Sequence, residues 1–208
     1  MAQAEPVTAR YVQPEIGLEA AYVGEMVRAE MVRRYGEDAY TGGYRVTTTI
    51  IPRLQRAANA ALRQALDEYD ERHGYRGPEQ QLEVSLWQDP QKRSEFLQKL
   101  GNIGELRPAV VTGFPDEKSV EITLADNSRA IIGWEGLGWA RRYRSADWQG
   151  QRPRKASDVL NHGDLIRVLV VPSENGNYLR LAQVPKAQGA LVSVKPGTGE
   201  VVALTGGY

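Results

Sequence analysis

LRPAVVTGFPDEKSVEITLADNSRAIIGW, residues 106–134, holds three short apolar runs set apart by turn residues. Ala109 to Phe114 is the first, and Val120 to Leu124, alternating with Glu121 and Thr123, is the second. Asp126-Asn127 then turns the chain into Arg129 to Trp134. A period of two sends successive side chains to opposite faces of a sheet, so each run reads as a strand. Two more follow, Asp164 to Val171 and Tyr178 to Val184, with a turn over Ser173 to Asn177 between them. Five short strands, with a long connection carrying helical patches between the third and fourth, have the layout of an OB-type barrel.

Upstream of this block the period lengthens. Leu54, Ala58, Ala61, Leu62, Ala65, Leu66 and Tyr69 recur at spacings of three and four, one apolar helix face opened by Pro52 and closed at His73-Gly74. A shorter helix is expected from Asp89-Pro90 to Gly101, and another over 19–35, ending at Gly36. YRVTTTII, residues 44–51, is rich in β-branched residues and reads as a strand, while 75–88 read as irregular. Downstream, 189–195 and 201–205 flank Pro196-Gly197-Thr198-Gly199, a hairpin signal. These pieces make a second, small α/β unit into which the five-stranded domain is inserted, an α+β chain as a whole. The polar, Pro-punctuated residues 1–18 read as a mobile leader without the apolar core of a secretory signal. The stop at VVALTGGY, between a strand and a Gly-Gly turn, is expected of a piece cut from a longer chain.

Hydrophobic residues make up 41% and charged residues 25%, with a net charge of zero, which disfavours a protein that grips a polyanion over its whole surface. No cysteine is present, so thiol catalysis and thiolate metal sites are excluded. His73 and His162 are the only histidines, and neither a metal nor a cofactor is expected. No Ser-x-x-Lys occurs, and Lys195-Pro196-Gly197-Thr198 breaks the spacing of Lys-Thr-Gly, so the serine machinery of penicillin recognition is missing. No catalytic residue is assigned.

One segment stands out. WARRYRSADWQGQRPRK, residues 139–155, interleaves Trp139, Tyr143 and Trp148 with Arg141, Arg142, Arg144, Arg152, Arg154 and Lys155 against the single acid Asp147. Aromatic and basic residues together suit single-stranded nucleic acid on an OB domain. Trp, Tyr and Arg are also the residues of protein-interface hot spots. A plain solvated loop with an aromatic or two tucked into the barrel is the third possibility. The candidate partner-binding residues are Trp139, Arg141, Arg142, Tyr143, Arg144 and Trp148.

Longer stretches narrow the choice. YTGGYRVTTTI (40–50) with LQRAANAAL, YDERHGYRGP (69–78), WARRYRS (139–145), PRKASDVLNHGDLIRV (153–168) and LAQVPKAQGALVSVKPGTGEVVALTGGY (181–208) resemble class A, bifunctional penicillin-binding proteins of subtype 1a from Gram-negative bacteria. The resemblance covers nearly the whole chain from about residue 20. It implies linker helices and the first strand of a transpeptidase region over 19–103, an OB-like docking domain over 104–185, and a hairpin returning to the transpeptidase region over 186–208. It further implies a periplasmic parent anchored to the inner membrane, with glycosyltransferase and transpeptidase domains on either side of this non-catalytic module. The implied partner is an outer-membrane lipoprotein activator, and nucleic acid recedes. A structural pedestal with no tight partner is the rival reading. Ile51 departs from the pattern, since the family usually has a capping Asp or Thr where the helix begins.

Overall fold

A computed structural model describes residues 17–145, 147–174 and 176–208. The expected leader, up to residue 16, lies outside the described residues, as do Ala146 of the basic segment and Asn175 of the turn at Ser173 to Asn177. In chain order the elements are α1 (Ala21–Tyr35), α2 (Asp38–Thr41), α3 (Pro52–His73), β1 (Gln80–Gln81), α4 (Val84–Trp87), α5 (Pro90–Leu100), β2 (Arg107–Gly113), β3 (Val120–Leu124), β4 (Arg129–Ile132), α6 (Trp134–Leu137), β5 (Tyr143–Ser145), β6 (Trp148–Gln149), β7 (Asp164–Val171), β8 (Tyr178–Ala182), β9 (Ala190–Val194) and β10 (Val201–Gly206). The chain divides into two compact units. The larger comprises Ala60–Ala190 with Gly206–Tyr208, and the smaller comprises residues up to Asn59 with Leu191–Thr205.

The five strands read from alternation are all present in the larger unit, in an antiparallel sheet of order β1-β7-β2-β3-β4 with β8 also paired to β7. Registers such as Ala109↔Ile166, Val111↔Ile122 and Val168↔Leu181 aim one set of side chains at a common core. Ala109, Val111, Ile122, Ile166, Val168 and Leu181 meet there with Tyr75 and Leu137. The opposite face is buried too. Val110 and Leu165 pack against Leu82 and Leu97, with Trp87 and Phe96 beside them. Covering both faces explains why β2 reads as a continuous apolar run instead of a strict alternation.

Helix α5 covers that outer face, and its ends follow its sequence. Asp89 accepts hydrogen bonds from the backbone N–H of Gln91 (2.9 Å) and Lys92 (3.1 Å), Pro90 starts the first turn, and Gly101 ends the helix at φ 68°. Because Leu97 is fully buried and Tyr75 nearly so, the packed unit extends upstream of residue 104, where the docking domain was expected to begin. Two short elements, β1 and α4, occupy the stretch expected to be irregular. Gln80 and Gln81 pair with Leu165 and Asp164, a partner more than eighty residues away that no local pattern announces.

The expected barrel is not closed. No ladder joins β4 to β8 among the described residues. Helix α6, which follows β4 directly, lies against β8 instead. A Cβ placed on Gly136 would lie 2.2 Å from the carbonyl oxygen of Leu179, so only glycine lets the two backbones approach this closely. One guanidinium is buried within the unit and met by a carboxylate that reaches solvent. Arg167, 2% exposed, donates from Nε to Glu79 Oε1 (2.9 Å), from Nη2 to Glu79 Oε2 (3.3 Å) and from Nη1 to the Gly101 carbonyl (2.7 Å).

In the smaller unit, β9 and β10 form the expected hairpin, closed by a bond from Lys195 N–H to the Glu200 carbonyl. Gln55, fully buried, pairs its amide with the backbone of Leu204. Its Nε2 donates to the Leu204 carbonyl and its Oε1 accepts from the Leu204 N–H, both at 2.9 Å. The first turns of α3 are thereby fastened to β10. Residues 44–51, read as a strand, form no ladder. Two hydrogen bonds link them to β10, from the Thr49 hydroxyl to the Val201 carbonyl (2.6 Å) and from the Ile51 N–H to the Val202 carbonyl (2.9 Å). β-Branched residues fit a pleated surface, but they need a neighbour on it, and 41–49 are exposed throughout.

Ile51 sits where a cap belongs. Its carbonyl accepts the first helical bond, from Gln55 N–H at 2.9 Å, while its own side chain, 43% exposed, offers no oxygen to the free N–H groups of the first turn. Ile51→Asp is therefore expected to raise stability by about 1 kcal/mol, read as a higher urea midpoint. A lower midpoint would mean that contacts of the isoleucine outweigh capping.

Candidate docking site

Strands β5 and β6 form a separate two-stranded ribbon, pairing Tyr143↔Gln149 and Ser145↔Trp148. Two- and three-residue strands do not hold themselves, and the anchors come from elsewhere in the chain. Tyr75 N–H donates to the Arg141 carbonyl (2.7 Å), and Tyr143 N–H donates to the Tyr75 carbonyl (2.8 Å). This close passage needs Gly74, at φ 98°, where a Cβ would lie 2.6 Å from the Arg141 carbonyl oxygen. The Gln149 side-chain amide donates to the carbonyls of Glu71 and Arg72 at the end of α3, where the Glu71 carbonyl also accepts from the Gly74 N–H (3.0 Å). Arg141 Nε donates to the Gly150 carbonyl (2.9 Å) at the base of the ribbon.

The six candidate residues separate into two groups. Arg142, Tyr143 (38% exposed), Arg144 and Trp148 (67% exposed) present their side chains to solvent on the ribbon. Trp139 does not join them. Its indole N–H donates to the Leu181 carbonyl (3.1 Å), its ring meets Tyr75 edge-on at 6.0 Å, and it packs on the core of the sheet. Arg141 is half-buried and spends its Nε on the ribbon. Sequence spacing cannot tell an inward aromatic from an outward one within an irregular segment, which is why Trp139 and Trp148 read alike.

Behind the ribbon, the last turns of α3 carry an acidic row. Glu71 forms an ion pair with Arg180, whose guanidinium also lies 5.9 Å over the Trp139 ring. Burial pushes the Asp67 carboxyl up to about 6, against the opposing pull of a hydrogen bond from the Tyr208 hydroxyl and the charge of Arg180, with Asp70 and Glu105 adding repulsion. A carboxyl raised in the folded state contributes stability that is full below its ordinary value near 4 and is lost as pH climbs through 6. Asp67→Asn should therefore be near neutral at pH 4 and stabilise by on the order of 1–2 kcal/mol at pH 8, after allowing for partial exposure. Urea midpoints of both proteins across that range check this. Parallel curves would mean that Asp67 titrates normally.

Among the described residues no helix is long and apolar enough to cross a membrane, and no group of three or more His, Asp or Glu side chains is placed to hold a metal ion.

Comparison with known proteins agrees with this architecture. Residues 75–187 match the family described as the penicillin-binding protein OB-like domain. The chain is 45% identical over 207 residues to penicillin-binding protein 1A of Escherichia coli strain K12, and 41% identical over 207 residues to penicillin-binding protein 1A of Pseudomonas aeruginosa. Each alignment covers 98% of this chain and 24% of the relative. The crystal structure of penicillin-binding protein 1A from Haemophilus influenzae matches with a TM-score of 0.77 at 33% identity, over 99% of this chain and 28% of that one. The chain belongs to the penicillin-binding protein OB-like domain family. It spans about a quarter of the length of the curated relatives it matches. The resemblance read from residues 40–50, 69–78, 139–145, 153–168 and 181–208, and the α+β class, are borne out.

Proposed function

We infer that this chain is a non-catalytic coupling and docking module of a bifunctional peptidoglycan glycosyltransferase/transpeptidase. In this reading the module links the two catalytic domains of a periplasmic parent anchored to the inner membrane. It offers the β5–β6 ribbon to an outer-membrane lipoprotein activator. Family membership and the 1A relatives support the setting. The docking role rests on one observation. A tryptophan 67% exposed stands on a ribbon outside the core, beside Tyr143, Arg142 and Arg144. A large apolar ring held in water on a backbone-anchored ribbon is what an interface hot spot requires.

The test is capture of a purified outer-membrane lipoprotein activator from the same bacterium on the immobilised chain. Trp148→Ala is expected to weaken capture at least about tenfold while leaving the urea midpoint unchanged, because the ring makes no core contact. Capture unaffected by Trp148→Ala would move the interface elsewhere. No capture by either protein would favour a pedestal that holds the catalytic domains apart.

A further inference from the structure

Beside the ribbon, on the face turned to the end of α3, lies an open cleft of about 730 Å³. Arg72 from α3, Arg141 from the loop after α6, and Arg152 beyond β6 all line it, with Trp139 forming part of the wall. Side chains from three separate stretches converge there. None of the three guanidiniums has a carboxylate within ion-pair distance among the described residues. Two carboxylates share the lining, Glu68 and Glu71, but Glu71 is answered by Arg180. Guanidiniums therefore outnumber unanswered carboxylates, in a chain whose net charge is zero. Unpaired arginines gathered in a concavity favour oxyanions, and their planar forks suit carboxylates two bonds at a time.

We propose that this cleft is a binding site for an acidic peptide segment, a run of Asp or Glu side chains on a protein partner. Two features select a peptide over a nucleic acid. The lining mixes three guanidiniums with two carboxylates, whereas a phosphate track would need basic residues continued along an extended groove. Glu68 also stands inside it, and it would oppose evenly spaced phosphates while leaving room for a peptide whose charges are irregular. This site extends the docking reading by giving the partner a chemistry. Its partner rests on that reading, although the cleft and the exposed Trp148 are different surfaces and can fail separately.

The experiment is a titration of the isotope-labelled chain with acetylated, amidated hexaglutamate at about 50 mM salt, where screening is modest. The indole N–H of Trp139 and the side-chain amide of Gln149, both in the lining, are the local reporters. Both resonances are expected to shift saturably, and the Trp134 indole should not. Arg72→Glu and Arg152→Glu, at exposed positions, should each weaken binding roughly tenfold or more. Lys99→Glu, an equal change of charge at an exposed position of α5, should not weaken it. Absent shifts, or equal loss in all three variants, would overturn the site. Tighter binding of hexathymidylate at the same reporters would overturn the peptide assignment. Hexaglutamate binding that survives Trp148→Ala while activator capture is lost would leave this site standing with the ribbon as a separate contact.

Discussion

Gly136→Ala is expected to cost about 3 kcal/mol, the upper end of what overpacking a tight interior costs. The added methyl would meet the Leu179 carbonyl oxygen at 2.2 Å, Ile132 Cγ2 at 2.9 Å and the Arg180 Cα at 3.0 Å. Two of these are backbone atoms of β8, which its ladder to β7 holds at Leu169↔Arg180 and Val170↔Leu179. They cannot yield without breaking that ladder, so α6 must leave its place in the gap between β4 and β8. Gly133, one turn earlier, has nothing within 4 Å of its Cβ position. Gly133→Ala should cost well under 1 kcal/mol, as expected of a small change at a helix start. Urea midpoints of the two variants make the comparison. Equal, small losses would mean that α6 is not wedged against β8.

The second large effect belongs to Glu79. Glu79→Ala removes the only carboxylate that, among the described residues, pairs with a guanidinium 2% exposed, leaving Arg167 its bond to the Gly101 carbonyl. Breaking a buried pair from one side typically costs 3–5 kcal/mol, and about 3 is expected here because the Glu79 side chain is itself partly in water. Arg167→Met should cost less, since it removes the buried charge and leaves the carboxylate that can reach solvent. Once Glu79 is alanine, adding Arg167→Met should restore stability. A double variant weaker than Glu79→Ala would show that the methylene stem and the Gly101 bond matter more than the buried charge.

Much of the fold is legible because its strongest signals are local. The five strands of the sheet alternate or run apolar between turn residues, and α5 carries its cap, its proline and its stop glycine in eleven residues of helix and one on either side. What was not legible depends on distant partners. Gln80-Gln81 becomes a strand only because β7 lies alongside, and the ribbon forms only because Tyr75 bonds Arg141 and Tyr143. The reverse error, a strand over 44–51, came from β-branched residues with no neighbour to pair with. Barrel closure was inferred from strand count, whereas the gap is decided by one glycine that lets α6 come close. At the candidate site, composition identified the basic and aromatic segment, but sorting Trp139 inward and Trp148 outward required the fold. The three guanidiniums of the cleft were out of reach for a different reason. Arg72 precedes Arg141 by more than sixty residues, and only the docking of the ribbon on α3 brings them together.

The place of β7 also sets an order of events. β7 is the strand that bonds β1, β2 and β8 together, yet it lies more than fifty residues beyond β2 in the chain. As the chain emerges N-terminus first, the β2–β3–β4 meander can pair while the far edge of β2 is still bare. Loops of that length close slowly, and an unpaired apolar edge invites association in the interval. Emergence of residue 171 is thus a threshold, before which the chain is a partial sheet in need of protection and after which it can complete itself.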